Sequence, residues 1–392
     1  MASITKRGKT WQYCVSRMVD GKYKPIRKGG FSTKKEATVA AAAIEANIGK
    51  NNFPSIQEDI PFTKYFMDWV KTYKTNISDI TMRAYTTTYN KLYEYFGEMP
   101  IQQITKRKYQ EFMNDLGTKF ARDTNRKLNG YVRTCLLEAI DEGLIKNDFT
   151  RNITITGASS KKGSEKFLNL TDTERLLYYL KDHVEKNIKN LQNVDNGIEN
   201  LLLLLALTSG MRYGELVGLI ETDFYFKESF IRVERQWKYK EGGGFGDLKN
   251  ESSERTITID TETMLLFKKF FKYRTSHSDN QHQLVFFDDT SDIFVVTNDR
   301  LNDVLRAALK HLKITPLITA HGLRHTHASI LLFEEVNLIY VSERLGHSGI
   351  EITSSTYAHV LKELRERDSR KTADVFKKMM LMPSTNIERV DV

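Results

Sequence analysis

Ten residues near the middle of the chain, Gly157 to Lys166 (GASSKKGSEK), are small, polar and basic, and no hydrophobic core can bury such a run. This is the clearest linker in the sequence, and it divides the 392 residues into at least two bodies. An apolar share of 40% is enough to give each body a core of its own. A second break is expected from Asn51 to Asp59, around Pro54.

Ahead of that break, residues 3 to about 31 alternate basic with apolar or aromatic side chains around the turn Asp20-Gly21, which predicts a β-hairpin with a third strand beside it. An alanine-rich helix is expected from Thr33 to Ile48. Charge is concentrated here. Lys6, Arg7, Lys9, Arg17, Lys22, Lys24, Arg27, Lys28, Lys34, Lys35 and Lys50 face only Asp20, Glu36 and Glu45, so most of the net charge of +9 lies in the first 57 residues. A small basic sheet of this kind suits a polyanion, with strands in a DNA groove and lysines on phosphates; the alternative is an ordinary solvated face.

Between the two breaks the pattern is helical: Phe62 to Tyr73, Thr81 to Phe96, Thr105 to Leu116 and Thr124 to Glu142, with Phe66, Trp69, Tyr85, Tyr89, Tyr93 and Phe96 as core. Lys106, Arg107, Lys108, Lys119, Arg122, Arg126, Lys127 and Arg133 gather on the later helices, which is compatible with a bundle resting on DNA. Cys14 and Cys135 form no CxxC pair, so neither a disulfide framework nor a thiolate metal site is expected. Leu201 to Leu207, the longest apolar run, is too short to cross a bilayer, and MASITKRGKTWQY holds no signal-peptide core. These features predict a soluble, intracellular protein with no membrane partner.

After the linker, Thr171-Asp-Thr-Glu174 reads as a capping box opening a helix, and Asn200 to Thr208 as a buried helix ending at Ser209-Gly210. Arg212 follows between Gly210 and Gly214, at a helix start where a guanidinium can meet an anion. Phe230 to Lys240 and Arg255 to Ile259 read as strands joined through a glycine-rich turn, with Lys249 near the start of the return. No GKS or GKT ending and no helix follows the glycines, so a nucleotide-binding loop is not expected. Helices are expected from Asp299 to Leu312, around His321, and from Leu338 to Leu345 with Gly346 as its stop. His321 and Arg324 share a helix face, and His347 emerges just past a helix end. Thr353 to Thr356 are poor helix formers, which predicts a short, weakly held element before Tyr357. A terminal helix follows, ending on the apolar stripe Val375, Phe376, Met379 and Met380.

Two arginines, two histidines, a lysine and a tyrosine without an acidic cluster do not suit a divalent-metal phosphotransfer site, which needs carboxylates. They suit metal-free attack on a phosphodiester. Arginine forks match the non-bridging oxygens, tyrosine can be the nucleophile, histidine a base and lysine an acid. The spacing HxxxHxH of His321, His325 and His327 invites a zinc reading, but no carboxylate accompanies it; His325 is taken either as support behind the groups that touch the phosphate or as packing, and His327 as core.

Arg212 in TSGMRYGEL, Lys249 in the hairpin, His321 and Arg324 in HGLRHTHAS, His347 in LGHS and Tyr357 in TYAH resemble, in order and spacing, the active-site signature of the tyrosine recombinases, the phage and conjugative-transposon integrases. The resemblance covers essentially the whole chain. It implies a multidomain α+β fold: a small three-stranded sheet plus helix (1–57) for arm-site DNA, a helical core-binding bundle (58–156), a linker (157–168), and a mainly α catalytic domain with a small β-sheet and a C-terminal tail (169–392). It implies DNA contacts from Lys6, Arg7, Lys9, Lys22, Lys24, Arg27, Lys28, Lys106, Lys108, Arg126 and Lys127. By the same resemblance Tyr357 attacks the scissile phosphate to leave a 3′-phosphotyrosyl link, Arg212 and Arg324 clamp that phosphate, and His321 accepts the tyrosine proton. Lys249 is then the general acid, His347 a hydrogen-bond donor and Glu215 structural support. No metal or cofactor is implied. Implied partners are double-stranded DNA at core and arm sites, a homotetramer passing through a Holliday junction, a directionality factor such as an excisionase, and a host DNA-bending protein, in the bacterial cytoplasm on the nucleoid. A type IB topoisomerase or an Xer-like resolvase would use the same chemistry. A simple DNA-binding regulator would leave the constellation without a purpose.

Overall fold

The basic N-terminal segment folds as a sheet because its alternation gives each strand one apolar face. In the computed structural model, which describes residues 2–16, 18–19, 22–23, 25–49, 59–159, 166–189, 197–248, 251–274 and 279–381, the chain forms two compact units, Met1–Ser159 and Ser160–Val392. The first begins with β1 (Ser3–Arg7) and β2 (Thr10–Val15), then the short hairpin β3 (Met18–Val19) and β4 (Lys22–Tyr23), then β5 (Ile26–Phe31). The main sheet has the order β1-β2-β5, antiparallel throughout. Helix α1 (Lys34–Gly49) covers one face, where Tyr13, Val15 and Ala41 are buried among Ile4, Ile26, Phe31 and Ile44.

Four helices follow: α2 (Phe62–Tyr73), α3 (Asp79–Phe96), α4 (Lys106–Lys119) and α5 (Arg122–Asp141). Side-chain caps fix the starts of α3 and α4. Ser78 Oγ accepts from the Thr81 amide and Thr105 Oγ1 from the Lys108 amide, so α3 begins two residues and α4 one residue from the positions that patterning suggests. Phe62 packs edge-on against Phe96 and Phe149, with ring centres 5.7 and 5.8 Å away. The start of the central GASSKKGSEK run is not free chain. The Ala158 carbonyl accepts from the Arg122 amide, and a Cβ on Gly157 (φ +130°) would fall 2.6 Å from Arg122 N and Phe120 O.

The second unit contains α6 (Leu170–Asn187), α7 (Ile198–Ser209), α8 (Tyr213–Val217), β6 (Phe224–Tyr225), β7 (Phe230–Val233), β8 (Gln236–Trp237), β9 (Phe245–Gly246) and β10 (Arg255–Thr258). Then come α9 (Thr261–Tyr273), α10 (Asn298–His311), α11 (Ala320–Phe333), α12 (Leu338–Leu345), α13 (Ile350–Thr356) and α14 (Ala358–Leu381). Leucines on every side of α7 are at most 4% exposed, so this helix runs through the middle of the core with α6, α9, α10 and α11 around it. It delivers Ser209, Gly210 and Arg212 to the site.

Two local expectations are corrected. Asn169, not Thr171, caps α6: its Oδ1 accepts from the Asp172 amide at 2.8 Å and its Nδ2 donates to the Asp172 carboxylate, so the helix opens before the expected box. The single strand expected from Phe230 to Lys240 is two. β7 sits centrally in the sheet β10-β7-β6, whereas β8 leaves to pair with β9. Arg235, at the break, places its Nη1 between both Asp223 oxygens, at 2.9 and 2.8 Å.

Candidate active site

Five of the six residues singled out as catalytic stand in described parts of the second unit; Lys249 lies outside the described residues. Arg212, His321, Arg324, His325, His347, Ser348, Ile352, Thr356 and Tyr357 line one open cavity of about 440 Å³.

Glycine carbonyls and their neighbours aim both arginines. Gly210 ends α7 in the left-handed region, at φ +69°, and its carbonyl accepts from Arg324 Nη1 at 2.8 Å. Gly346 ends α12 in the same way, at φ +65°, and its carbonyl accepts from Arg212 Nη2 at 2.6 Å, while Leu345 O accepts from Arg324 Nη2 at 2.7 Å. Neither glycine has room for a side chain. A Cβ would lie 2.6 Å from the His327 ring at Gly210 and 2.9 Å from Arg255 Nη1 at Gly346.

Glu215 is the buried counter-charge. Its Oε2 accepts from the Arg212 amide at 2.9 Å and from Arg255 Nη2 at 2.8 Å, and its Oε1 accepts from Arg212 Nη1 at 2.7 Å. Burial alone would raise this carboxyl, but Arg255 and then Arg212 outweigh it and hold it below the ordinary carboxylate range. Sequence reasoning did not find Arg255. It reaches from β10 to Glu215, the Ser253 carbonyl and the Arg344 carbonyl, and so fixes the hairpin to the end of α12. Two of its partners lie 40 and 89 residues away, and no local pattern announces them.

Three guanidiniums around one carboxylate leave surplus positive charge. Burial, and then Arg212, bring Arg324 down to about 9. Burial, then Arg324 and Arg212, push His347 down to about 4, so its ring is neutral at neutral pH. Loss of water around it, followed by the same two arginines, lowers His321 too, although the edge of that side chain is exposed.

α11 is buried on nearly all sides, more than the expected single apolar face: Leu323, Arg324, Thr326, His327, Ala328, Ser329 and Leu332 are all enclosed. His327 is part of this core, as expected, with Nδ1 2.9 Å from Leu207 O and Nε2 accepting from Arg344 Nε at 2.9 Å. It is turned away from His321 and His325, so these three do not converge, and among the described residues no group of His, Cys, Asp and Glu is arranged to hold a metal ion.

The segment before Tyr357 is α13, a short element as expected: Ile350, Glu351, Ile352, Ser355 and Thr356 are exposed, and Thr353 is fully buried with its hydroxyl 2.7 Å from His347 Nδ1. Tyr357 is 1% exposed, packed with Ala328, Leu332, Val341 and Leu345. Burial pushes its phenol up to about 12. Its Oη lies 3.1 Å from Nδ1 of His325, the histidine that sequence reasoning takes as support behind the site or as packing.

The basic residues of the first unit are mostly exposed: Lys6, Arg7, Lys9, Arg27, Lys28, Lys106, Arg126 and Lys127, with Lys108 half-buried. Lys6 and Lys34 lie over the Trp11 ring, and Arg126 pairs with Asp123 at 2.5 Å. Lys24 falls outside the described residues, as does the side chain of Lys22.

Comparison with known proteins gives this arrangement a family. The phage integrase family matches residues 151–363, an arm DNA-binding domain matches residues 2–48, and the SAM-like N-terminal domain of phage integrases matches residues 61–117. A XerC-like tyrosine recombinase of Caldanaerobacter subterraneus is 27% identical over 401 residues, spanning 95% of this chain and 98% of that one. An integrase from a Staphylococcus phage is 25% identical over 281 residues, 67% of this chain and 78% of its own. Among solved structures, the Tn1549 transposon integrase in complex with a circular intermediate DNA superposes with a TM-score of 0.65 at 16% identity, covering 79% of this chain and 99% of that one, which is a likeness of fold. The chain belongs to the phage integrase family and is a tyrosine recombinase, an enzyme that breaks and rejoins DNA strands at specific sites, of the kind that integrates mobile elements or prophages.

Proposed function

We propose that Tyr357 is the nucleophile of strand cleavage and that Arg212 and Arg324 receive the scissile phosphate in the cavity between α7, α11 and α12. The observation that carries this reading is the surplus of guanidinium charge, three groups against Glu215, beside one buried tyrosine hydroxyl. Such fixed donors stabilise the charge that accumulates on phosphorus-bound oxygens without reorganising at the moment of reaction. The phenol oxygen bonds to phosphorus, the 5′-oxygen leaves, and a 3′-phosphotyrosyl link remains. His347 lines the cavity with its Nδ1 2.7 Å from the Thr353 hydroxyl; with that hydroxyl donating to Nδ1, the ring carries its proton on Nε2 and serves as a hydrogen-bond donor. By family resemblance Lys249 protonates the departing oxygen; the same resemblance gives the tyrosine proton to His321, an assignment that the contact of His325 with Tyr357 reopens.

The wider reading assigns residues 1–57 to arm-site DNA, 58–156 to core-site DNA and 169–392 to catalysis, with 157–168 between them. The match of residues 2–48 to an arm DNA-binding domain supports two-site binding over a topoisomerase acting on one duplex. A tetramer on two duplexes, assisted by a directionality factor and a DNA-bending host protein in the bacterial cytoplasm, completes it. None of these steps uses a metal. A nicked suicide duplex therefore traps a covalent protein–DNA adduct equally well with or without chelator; an adduct that forms only when divalent metal is present contradicts the reading.

A further inference from the structure

A tyrosine held near 12 is almost wholly protonated at neutral pH, so attack at a useful rate needs a base within hydrogen-bond reach of its oxygen. Among the described residues, the side chain at that distance from Tyr357 Oη is His325, with Nδ1 3.1 Å away and the two rings inclined at 62°. His321, one helical turn earlier on α11, meets the His325 ring edge-on with centres 4.9 Å apart, and its own edge is exposed. His325 thus stands between His321 and the nucleophile.

We propose that His325 is the catalytic base of the cleavage step and takes the Tyr357 proton directly, while His321 acts from the solvent side of the phosphate. This rests on Tyr357 as the nucleophile. As Oη attacks, the Oη–H bond breaks and an Nδ1–H bond forms, the Oη–P bond forms, and the P–O5′ bond breaks with its electron pair on O5′, which takes a proton from the general acid. On religation the 5′-hydroxyl returns its proton to the conjugate base of the general acid as O5′ bonds to phosphorus, the Oη–P bond breaks with its electron pair on Oη, and His325 returns its proton to the departing phenolate. The cation made at His325 would stand among Arg212, Arg324 and the neutral His347, where charge of its own sign already crowds the site. A bound phosphodiester supplies the compensating negative charge, so the base becomes effective only when DNA occupies the cavity, which would suppress reaction of Tyr357 without substrate.

Single-turnover adduct formation by the full chain on a nicked suicide duplex tests this. His325→Ala slows cleavage by roughly 10²–10⁴-fold, the range of a lost general base, while core-site DNA binding is kept. His325→Gln, which retains a hydrogen-bonding side chain but cannot carry the proton, is equally slow. Installing trifluorotyrosine in place of Tyr357 supplies a phenol that ionises without help, and it restores most of the rate in His325→Ala but not in His321→Ala. Cleavage by His325→Gln at the unaltered rate, or rescue confined to His321→Ala, overturns the proposal. An adduct in Tyr357→Phe would instead remove the reading beneath it, so the two failures are told apart.

Discussion

In the first unit Lys6, Arg7, Lys9, Arg27 and Lys28 of the sheet, and Lys106, Arg126 and Lys127 of the bundle, carry their charge in open solvent. In the second unit Arg255 and Arg324 are enclosed and Arg212 is partly so, around the buried carboxylate of Glu215. The two regions are both basic, yet their cations do different physical work. An exposed cation is screened by salt and its ion pairs add little, as with Arg126 and Asp123. Its contribution is affinity for a polyanion through released counterions. A buried guanidinium is held by fixed carbonyls and keeps its full interaction with charge that develops at one atom. On the proposed reading, the first unit holds DNA and the second reacts with it.

The largest expected effect comes from removing the single counter-charge. Glu215→Gln leaves Arg255 without a carboxylate in a buried setting and is expected to destabilise the second unit by about 3–5 kcal/mol, seen as a lower denaturant midpoint at unchanged slope. A loss as small as that of an exposed ion pair would mean that burial is not what distinguishes this cluster. Next, Arg324→Lys cannot serve Gly210 O, Leu345 O and a phosphate at once, and single-turnover cleavage is expected to drop roughly 10²–10³-fold with core-site affinity little changed. Equal losses of affinity and rate would erase the contrast between the units. The smallest effect belongs to the exposed set. Neutralising Lys6, Arg7, Arg27 and Lys28 lowers the salt dependence of DNA binding by about 0.9 in log–log slope for each phosphate no longer neutralised, while cleavage at saturating DNA stays as it was. An unaltered slope would show that this sheet does not carry DNA.

Much of the site is legible in the sequence because its residues lie on short local pieces with their own signals. Gly210 and Gly346 mark helix ends just before Arg212 and His347, and Arg324 follows from sharing a helix face with His321. The core helix α7 is equally plain from its leucines. The rest depends on tertiary partners. Arg255 and Ser253 gain meaning only where β10 meets the end of α12, and the contact of His325 with Tyr357 joins residues that no helical or strand period relates. The contact of Thr353 with His347 is hidden for the same reason, since nothing in the run Thr353 to Thr356 announces that one of its hydroxyls is buried. Alternation likewise runs on through Glu234 and Arg235, but the pairing of Arg235 with Asp223 bends the strand away.

Every step proposed for this enzyme depends on the buried Tyr357 hydroxyl becoming the covalent link to DNA. Trapping the full chain on a nicked suicide duplex, digesting it, and locating the attached nucleotide by mass spectrometry tests that link most directly. The nucleotide is expected on the peptide bearing Tyr357, with no adduct from Tyr357→Phe. A nucleotide on any other residue, or an adduct that survives Tyr357→Phe, contradicts it.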